Sequence, residues 1–549
     1  MAKVNGNNLV AKALQRQGVD TFFFLMGGPM LGVEKACIDL GMRYVYARHE
    51  QAAATMAHAY ARLLNRPGIC MGCSGPGATN LITGVTSAWA DCAPVVALAG
   101  ASTWNGWGRG VFQEMEQLAM FKPITKWAER VYDTVRIPEL ISVALRQVKS
   151  GRPAPVYLEF PGDILYQEIE EEEVDFPDVA RSRTDSRPYG DPDMVKAAVK
   201  MLSQAKRPLL MTGGGILWSG AAEQLRQFAE MAGIPFYTTP QGRGVIPDDH
   251  DLSFLAARST AFREADCLLV VGTRFNYMVG HGQPPRFARD MRVIQVDIDQ
   301  AEIGHNRAVD VGIVGDAAAV LGQLVKEGEG VLKPGLYSDW VERLRQVDKV
   351  KWAEQEKAMS TNRTPIHPLR LCKEIRDYLD RDAILCVDGQ EILNYGRQSI
   401  PTFVPGHRLN SGPMGTMGVG LPFGLGAKVA KPDKQVLVLH GDGSFGLNAM
   451  ELDTAVRSKL PVVTVISNNG GWTSDPVGEK PGRYLGNVRY DRMAEGLGCH
   501  GEFVERPEDI RPALERAFAS GLPAVVNVVT DPAARATTQS FSGYHGPAA

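Results

Sequence analysis

The stretch that decides the fold is His440–Trp472, HGDGSFGLNAMELDTAVRSKLPVVTVISNNGGW. Val436 to His440 is an apolar run short enough for a buried strand, and Gly441-Asp442-Gly443 then turns the chain. Asn448 to Arg457 carries Met450, Leu452, Ala455 and Val456 at helical spacing, and Val462 to Ile466 reads as a second β-branched strand. Two parallel strands joined by a helix bring Gly441–Ser444 and Asn468–Gly471 to one carboxyl edge of a sheet, where open α/β sheets bind ligands. Asp442 offers a carboxylate there and Asn469 an amide oxygen, with loop carbonyls beside them. Hard oxygen donors of this kind suit Mg²⁺ held together with phosphates. The glycines let backbone N–H groups approach a diphosphate.

Working outward, residues 1 to about 175 alternate helix and strand signals. Thr21 to Leu25 reads as a strand entering Met26-Gly27-Gly28-Pro29, and Tyr44 to Ala47 as a strand delivering Arg48-His49-Glu50. The alanine-rich Gln51 to Leu64 follows as a helix, then a strand from Gly68 to Cys73 and the turn Ser74-Gly75-Pro76-Gly77-Ala78-Thr79-Asn80. A second unit spans about 190–340, with strands leading into Gly213-Gly214-Gly215, into Gly272-Thr273-Arg274 and into Asp297. A third spans about 364–532; its strand Ile384 to Val387 ends at Asp388-Gly389-Gln390. The fold class is therefore α/β, with three doubly wound parallel-sheet domains. Acidic residues and prolines over about 166–192 read as a linker, and residues 533–549 as a polar tail.

Composition bounds the function. A formal net charge of −3 argues against nucleic acid or an acidic membrane surface as partner. No run of about 18 uncharged apolar residues exists, so no membrane span is expected. The eight cysteines show no disulfide framework; Cys70 and Cys73 read as buried structural thiols. MAKVNGNNLVAKAL lacks a signal-peptide core, and a cytoplasmic location is expected.

GDG followed after 24 residues, Ser444 to Ser467, by a double Asn resembles the signature of thiamine-diphosphate enzymes. The resemblance implies Asp442, Asn469 and the Gly471 carbonyl as metal ligands, and Gly441, Gly443, Ser444, Gly389 and Gln390 as cofactor contacts. RHE, the small-residue helix and SGPGATN resemble the family's pyrimidine-binding domain. Glu50 then exchanges a proton with the aminopyrimidine, with Gly75 and Asn80 nearby. In Gly415-Thr416-Met417-Gly418, Met417 is the residue that props the bent cofactor. Phe112-Gln113-Glu114 with Gln117, followed by Thr125-Lys126-Trp127, resembles acetolactate synthases, benzaldehyde lyase and 2-hydroxyacyl-CoA lyases, in which the Gln faces substrate. Relatives hold ADP or FAD in the central domain, which assigns Arg274, Asp297 and Asp316 to an ADP moiety, although an empty domain is equally compatible with the sequence.

Among these activities the chain most resembles 2-hydroxyacyl-CoA lyases, which release formyl-CoA and an aldehyde or ketone. Phe112-Gln113 stands where oxalyl-CoA decarboxylases have Tyr-Glu, and Thr473 where they have Tyr. Met26 to Pro29 lacks the His of benzaldehyde lyase. Oxalyl-CoA decarboxylase, an acetolactate synthase-like or benzaldehyde lyase-like carboligase, and a catalytically silent cofactor-binding paralogue are the alternatives. Arg408, Trp472 and Tyr544 are the substrate candidates, the last in a tail that relatives fold over the site; Glu479 and Glu495 are candidate bases. The resemblance also implies a homodimer at least, with a homotetramer the common form, and an active site shared between two subunits.

Overall fold

The computed structural model describes residues 2–472 and 481–536. Three parallel sheets organise them. In the first, neighbouring strands run Arg43–Tyr46, Thr21–Phe24, Gly68–Gly72, Val95–Ala101, Val156–Pro161 and Trp127–Arg130. In the third they run Arg408–Asn410, Ile384–Asp388, Val436–Gly441, Val463–Asn468, Ala524–Val529 and His500–Val504. Counted along the chain, both sheets have the order 2-1-3-4-6-5. The central sheet, Phe236–Thr238, Pro208–Thr212, Cys267–Val271, Arg292–Asp297 and Val311–Val314, has the order 2-1-3-4-5.

Each order reverses direction between the first and third strands, which opens a crevice at the carboxyl ends of those two. The first sheet puts Met26–Pro29 and Cys73–Gly75 there, and the central sheet Gly213–Gly215 and Gly272–Arg274. The third sheet puts Gly389-Gln390 and Asp442–Ser444 there. The polar and glycine-rich clusters of the sequence thus fall on the three switch points.

The central unit buries its own core, around Phe228, Phe262, Leu269 and Trp340. The first and third units share one. The helix Glu50–Leu64 contributes Ala52, Ala53, Met56 and Ala57 to the cluster that holds Phe423 and Leu425 of the helix Gly420–Ala430. Small residues let the two backbones close up: a Cβ on Gly426 would stand 2.4 Å from the Met56 carbonyl oxygen. The side chain of His49 caps the first helix by accepting the Gln51 N–H at 3.1 Å. Across the same seam, Glu451 accepts the backbone N–H groups of Arg48 and His49 at 3.0 and 3.1 Å.

Two expectations change. The segment read as a linker is fastened to the domains: Glu168–Glu170 pairs antiparallel with Lys3–Asn5, and Arg187 bonds Asp316 at 2.8 Å. The helix expected from Asn448 begins earlier and breaks. Asp442–Gly446 is one short helix and Glu451–Arg457 another, because Asn448 turns aside to donate to the Gly418 carbonyl at 2.7 Å. The eight cysteines are unpaired, six of them buried. No helix among the described residues is long and apolar enough to cross a membrane.

Candidate active site

The third unit's crevice gathers most of the expected cofactor residues. Gly389, Gln390, Met417, Gly441, Asp442, Gly443, Ser444, Asn469, Gly471 and Trp472 line one cavity, formed by residues of that unit and by Ala534 of the segment read as a tail. Ser444 Oγ donates to the Gly441 carbonyl at 3.0 Å, which locks the turn. The Trp472 ring lies on Gly443, where a Cβ would stand 2.8 Å from it. Asp442 is 2 % exposed, and burial pushes its carboxyl up to about 7. Its Oδ2 has no hydrogen-bond partner among the described residues.

Asn469 reaches the same point. One terminal atom of its amide lies 3.2 Å from Asp442 Oδ1 and 2.9 Å from the Gly471 carbonyl oxygen. With nitrogen there, the amide donates to both. With oxygen there, three oxygens converge, and only a cation among them makes that arrangement stable. The donor set therefore fits a hard divalent ion. It contains one carboxylate, one amide and one carbonyl, and among the described residues no cluster of three His, Cys, Asp or Glu side chains offers a rival metal site.

The first unit's crevice gathers the second group. Glu50 opens the helix Glu50–Leu64, is 4 % exposed, and accepts Asn80 Nδ2 at 3.0 Å on Oε2. Gly77 lets the chain pass close by, since a Cβ there would meet Cys73 Sγ at 2.6 Å and Glu50 Oε1 at 3.3 Å. Beside it, Ser74 Oγ donates to Gln113 Oε1 at 2.8 Å, and the Gly75 N–H donates to Gln117 Oε1 at 3.0 Å. Glu50, Gly75, Asn80 and Gln113 therefore stand together, but none of them lines the cavity of Asp442.

The central crevice opens into a cavity of about 290 Å³ lined by Arg274, Asp297 and Asp316, the three residues expected there. Burial pushes Asp297 up to about 6. Arg274 donates to the Ala90 carbonyl at 2.6 Å, and Asp316 caps the helix Ala317–Gly328 by accepting the Ala318 N–H at 3.1 Å.

Sequence reading missed a larger cavity, about 840 Å³, on the seam between the central and third units. It shares Gly389, Gln390 and Met417 with the Asp442 cavity and runs from them to Arg243, Arg258, Arg397 and Lys351. Arg243 bonds Asp248 at 2.9 Å. Arg258 and Arg397 have no side-chain hydrogen bond among the described residues. Burial, and then the neighbouring Arg258 and Arg243 guanidiniums, push Arg397 down to about 10. A half-buried cluster of like charge facing a cavity is a polyanion site. These arginines come from three separate segments, so no local motif marked them.

Arg408, expected at the substrate, is instead 2 % exposed on the strand Arg408–Asn410 and does not line that cavity. It donates to the Ile400 carbonyl at 3.3 Å, and burial pushes it down to about 9. Its neighbours Arg243 and Arg397 do line the cavity, with Arg258 and Lys351. Glu495 is exposed on the helix Tyr490–Gly496 and lines none of these cavities. Tyr544, Glu479 and Thr473 lie outside the described residues.

Comparison with known proteins agrees with this geometry. Residues 4–120 match the model of the thiamine pyrophosphate enzyme N-terminal TPP binding domain, residues 195–324 the central domain, and residues 394–528 the C-terminal TPP binding domain. The chain is 36 % identical to a 2-hydroxyacyl-CoA lyase of Arabidopsis thaliana, over 97 % of this chain and 96 % of that protein. It is 32 % identical to 2-hydroxyacyl-CoA lyase 1 of Homo sapiens, over 98 % and 96 %. It is also 34 % identical to a probable acetolactate synthase of Mycobacterium bovis, over 96 % of each chain.

Proposed function

Because the chain belongs to the thiamine pyrophosphate enzyme family, we propose that it cleaves 2-hydroxyacyl-CoA thioesters to formyl-CoA and an aldehyde or ketone, and can run the same C–C bond change in reverse. The observation that carries this reading is the arginine-lined cavity that begins at Met417 and Gln390. A free 2-oxo acid has one carboxylate and no use for three guanidiniums. Coenzyme A has a diphosphate and a ribose phosphate on a long arm, and Arg243, Arg258 and Arg397 suit them.

Asp442, Asn469 and the Gly471 carbonyl would hold Mg²⁺, Gly389, Gln390, Gly441, Gly443 and Ser444 would contact the diphosphate, and Met417 would support the cofactor's bent shape. When bound, thiamine diphosphate supplies a carbon nucleophile and an electron sink for the pair released from the C1–C2 bond. Glu50, held by Asn80, would exchange a proton with the aminopyrimidine nitrogen. Gln113 hydrogen-bonds the substrate oxygen. Trp472 and the cavity walls exclude water from the reacting carbon.

The two half-sites come from two copies of the chain. Their separation within one chain supports this, as do the exposed apolar side chains Phe112, Met26, Met414, Leu447 and Met450, which a second copy would cover. A homodimer is the smallest complete enzyme, and a homotetramer doubles it. ADP suits the central cavity, and a cytoplasmic location suits the soluble acyl-CoA substrate. Acetolactate synthesis is the second reading, favoured by the similarity to the mycobacterial protein.

The test is release of formyl-CoA from 2-hydroxyacyl-CoA thioesters of graded size, with thiamine diphosphate and Mg²⁺. Pyruvate and oxalyl-CoA run in parallel. Formyl-CoA with the matching carbonyl product is expected. Acetolactate from pyruvate, with no thioester cleavage, would move the protein to the second reading.

A further inference from the structure

Resting on the lyase reading, we propose that Ser74 is a positioning residue that fixes Gln113 as a hydrogen-bond donor to the oxygen of the departing or incoming aldehyde or ketone. Ser74 is 5 % exposed and follows the strand Gly68–Gly72 at the first unit's switch point. Its Oγ lies 2.8 Å from Gln113 Oε1 and 3.3 Å from the Gly28 carbonyl oxygen. The Gly28 carbonyl already receives the Ser74 backbone N–H at 3.2 Å. A hydroxyl has one proton to give, and it goes to the nearer oxygen, which has no other donor. With Oε1 engaged, the Gln113 amide faces outward with its N–H groups, which have no acceptor among the described residues.

The pair is held rigidly enough for this polarity to matter. Gln113 has φ +59°, a conformation that costs a side-chain-bearing residue about 1 kcal/mol or more. Gly75, at φ +62°, abuts it: a Cβ there would stand 3.0 Å from Gln113. The Gly75 N–H is tied to Gln117, whose Nε2 donates to the Gly100 carbonyl at 2.7 Å and the Tyr157 hydroxyl at 2.8 Å. Tyr157 in turn donates to Glu159 at 2.8 Å, and Arg130 pairs with Glu159. On the other side, the Glu114 carboxylate takes the N–H groups of Gly108 and Gly110 at 2.9 and 3.1 Å. Gln113, Glu114 and Gln117 therefore do three jobs, of which only the first faces the reaction.

A donor at this place matches an oxygen that gains charge. In ligation the new C–C bond forms at the carbonyl carbon, and the carbonyl π pair moves onto its oxygen. That oxygen then takes one proton and ends as the 2-hydroxyl. Cleavage runs the same moves backwards. An amide oxygen in the same place would repel the developing anion. That rotation would make Ser74 Oγ accept from the amide and send its own proton over the longer 3.3 Å contact to the Gly28 carbonyl, which already has a donor, so Ser74 disfavours it.

The test uses the holoenzyme in the ligation direction, with formyl-CoA and graded aldehydes. Ser74→Ala is expected to lower kcat/KM for the aldehyde about tenfold, the scale of one net hydrogen bond. KM for formyl-CoA and the affinity for thiamine diphosphate stay as in wild type. Ser74→Thr, which keeps the hydroxyl, restores most of the loss. Gln113→Glu puts carboxylate oxygens where the donors stood and loses more than Ser74→Ala, again in the aldehyde term only; it carries the test if Ser74→Ala fails to fold. An unchanged Ser74→Ala enzyme, equal losses on both substrates, or no rescue by Thr would overturn the proposal. If wild type makes no formyl-CoA product, the lyase reading fails by itself. The same variants, assayed on whichever carbonyl acceptor wild type does use, still decide the role of Ser74.

Discussion

The first and third units have the same strand order and the same switch point, yet their crevices are finished differently. In the first, the side chains answer one another: Asn80 donates to Glu50, Ser74 to Gln113, Gln117 to the Gly100 carbonyl. In the third, Asp442 Oδ2 has no donor, and Asn469 is drawn against two oxygens. One crevice is paired as folded, save for the outward N–H groups of Gln113. The other leaves an oxygen without a donor, a set that suits a cation. One scaffold thus ends in a mutually hydrogen-bonded crevice in one unit and in a cluster of underused oxygens in the other, and the loops after the strands decide which.

The hardest blow to that division is Glu50→Ala. Loss of a proton-transfer group predicts a fall in kcat of roughly 10²–10⁴-fold, with cofactor affinity kept. Steady-state rates beside calorimetric titration of thiamine diphosphate check it. If cofactor affinity collapses instead, the two crevices have been given each other's tasks. Next comes Asp442→Asn, expected to weaken Mg²⁺-dependent cofactor binding by roughly 30-fold, from the ~2 kcal/mol of a charge-assisted contact. Chelation followed by Mg²⁺ addition should abolish and restore wild-type turnover. Activity that survives thorough chelation sinks the cation assignment.

Arg397→Ala sharpens the comparison by separating substrate charge from cofactor charge. KM for the acyl-CoA is expected to rise about tenfold with kcat unchanged, since only uniform binding is lost. An equal effect on free 2-hydroxy acids would show that the cavity does not read the thioester's phosphates.

The smallest effect lies in the first unit, on the helix Leu31–Asp39 that follows its Met26–Pro29 turn. Glu34 is 3 % exposed, its Oε1 has no partner, and burial pushes its carboxyl up from 4.5 to about 8. Between those values the folded chain binds more protons than the unfolded one, so stability falls as pH rises from about 5 to 8. Glu34→Gln does not titrate. Its thermal midpoint should therefore gain on wild type across that window, and a gap constant with pH would refute the assignment.

Much of this architecture was legible because its signals are local. Buried parallel strands are short β-branched runs, and Pro208–Thr212 and Ile384–Asp388 ended where glycines followed. The strand Val95–Ala101 escaped notice although all seven residues are buried: VVALAGA is half alanine and glycine, and such a run does not announce its period. That Asp442, Asn469 and Gly471 meet at one crevice could be read because one crossover connection sets their spacing. Arg243, Arg258 and Arg397 could not, since each is an ordinary arginine until the central and third units meet. Arg408 misled for the converse reason. Its neighbours in sequence said nothing of a strand buried on both faces. The clamp of Gln117 on Gly75 joins residues 42 apart and rests on a turn that no spacing rule encodes.

The core shared by the helices Glu50–Leu64 and Gly420–Ala430 bears on how the chain is made. During synthesis the first unit leaves the ribosome with the outer face of Glu50–Leu64 bare. Its cover arrives only some 370 residues later, after the central unit, which owns a separate core, has had time to fold between them. The sheet that comes out first is therefore among the last to be finished. For tens of seconds at ordinary elongation rates, its alanine face lacks the cover that the third unit supplies.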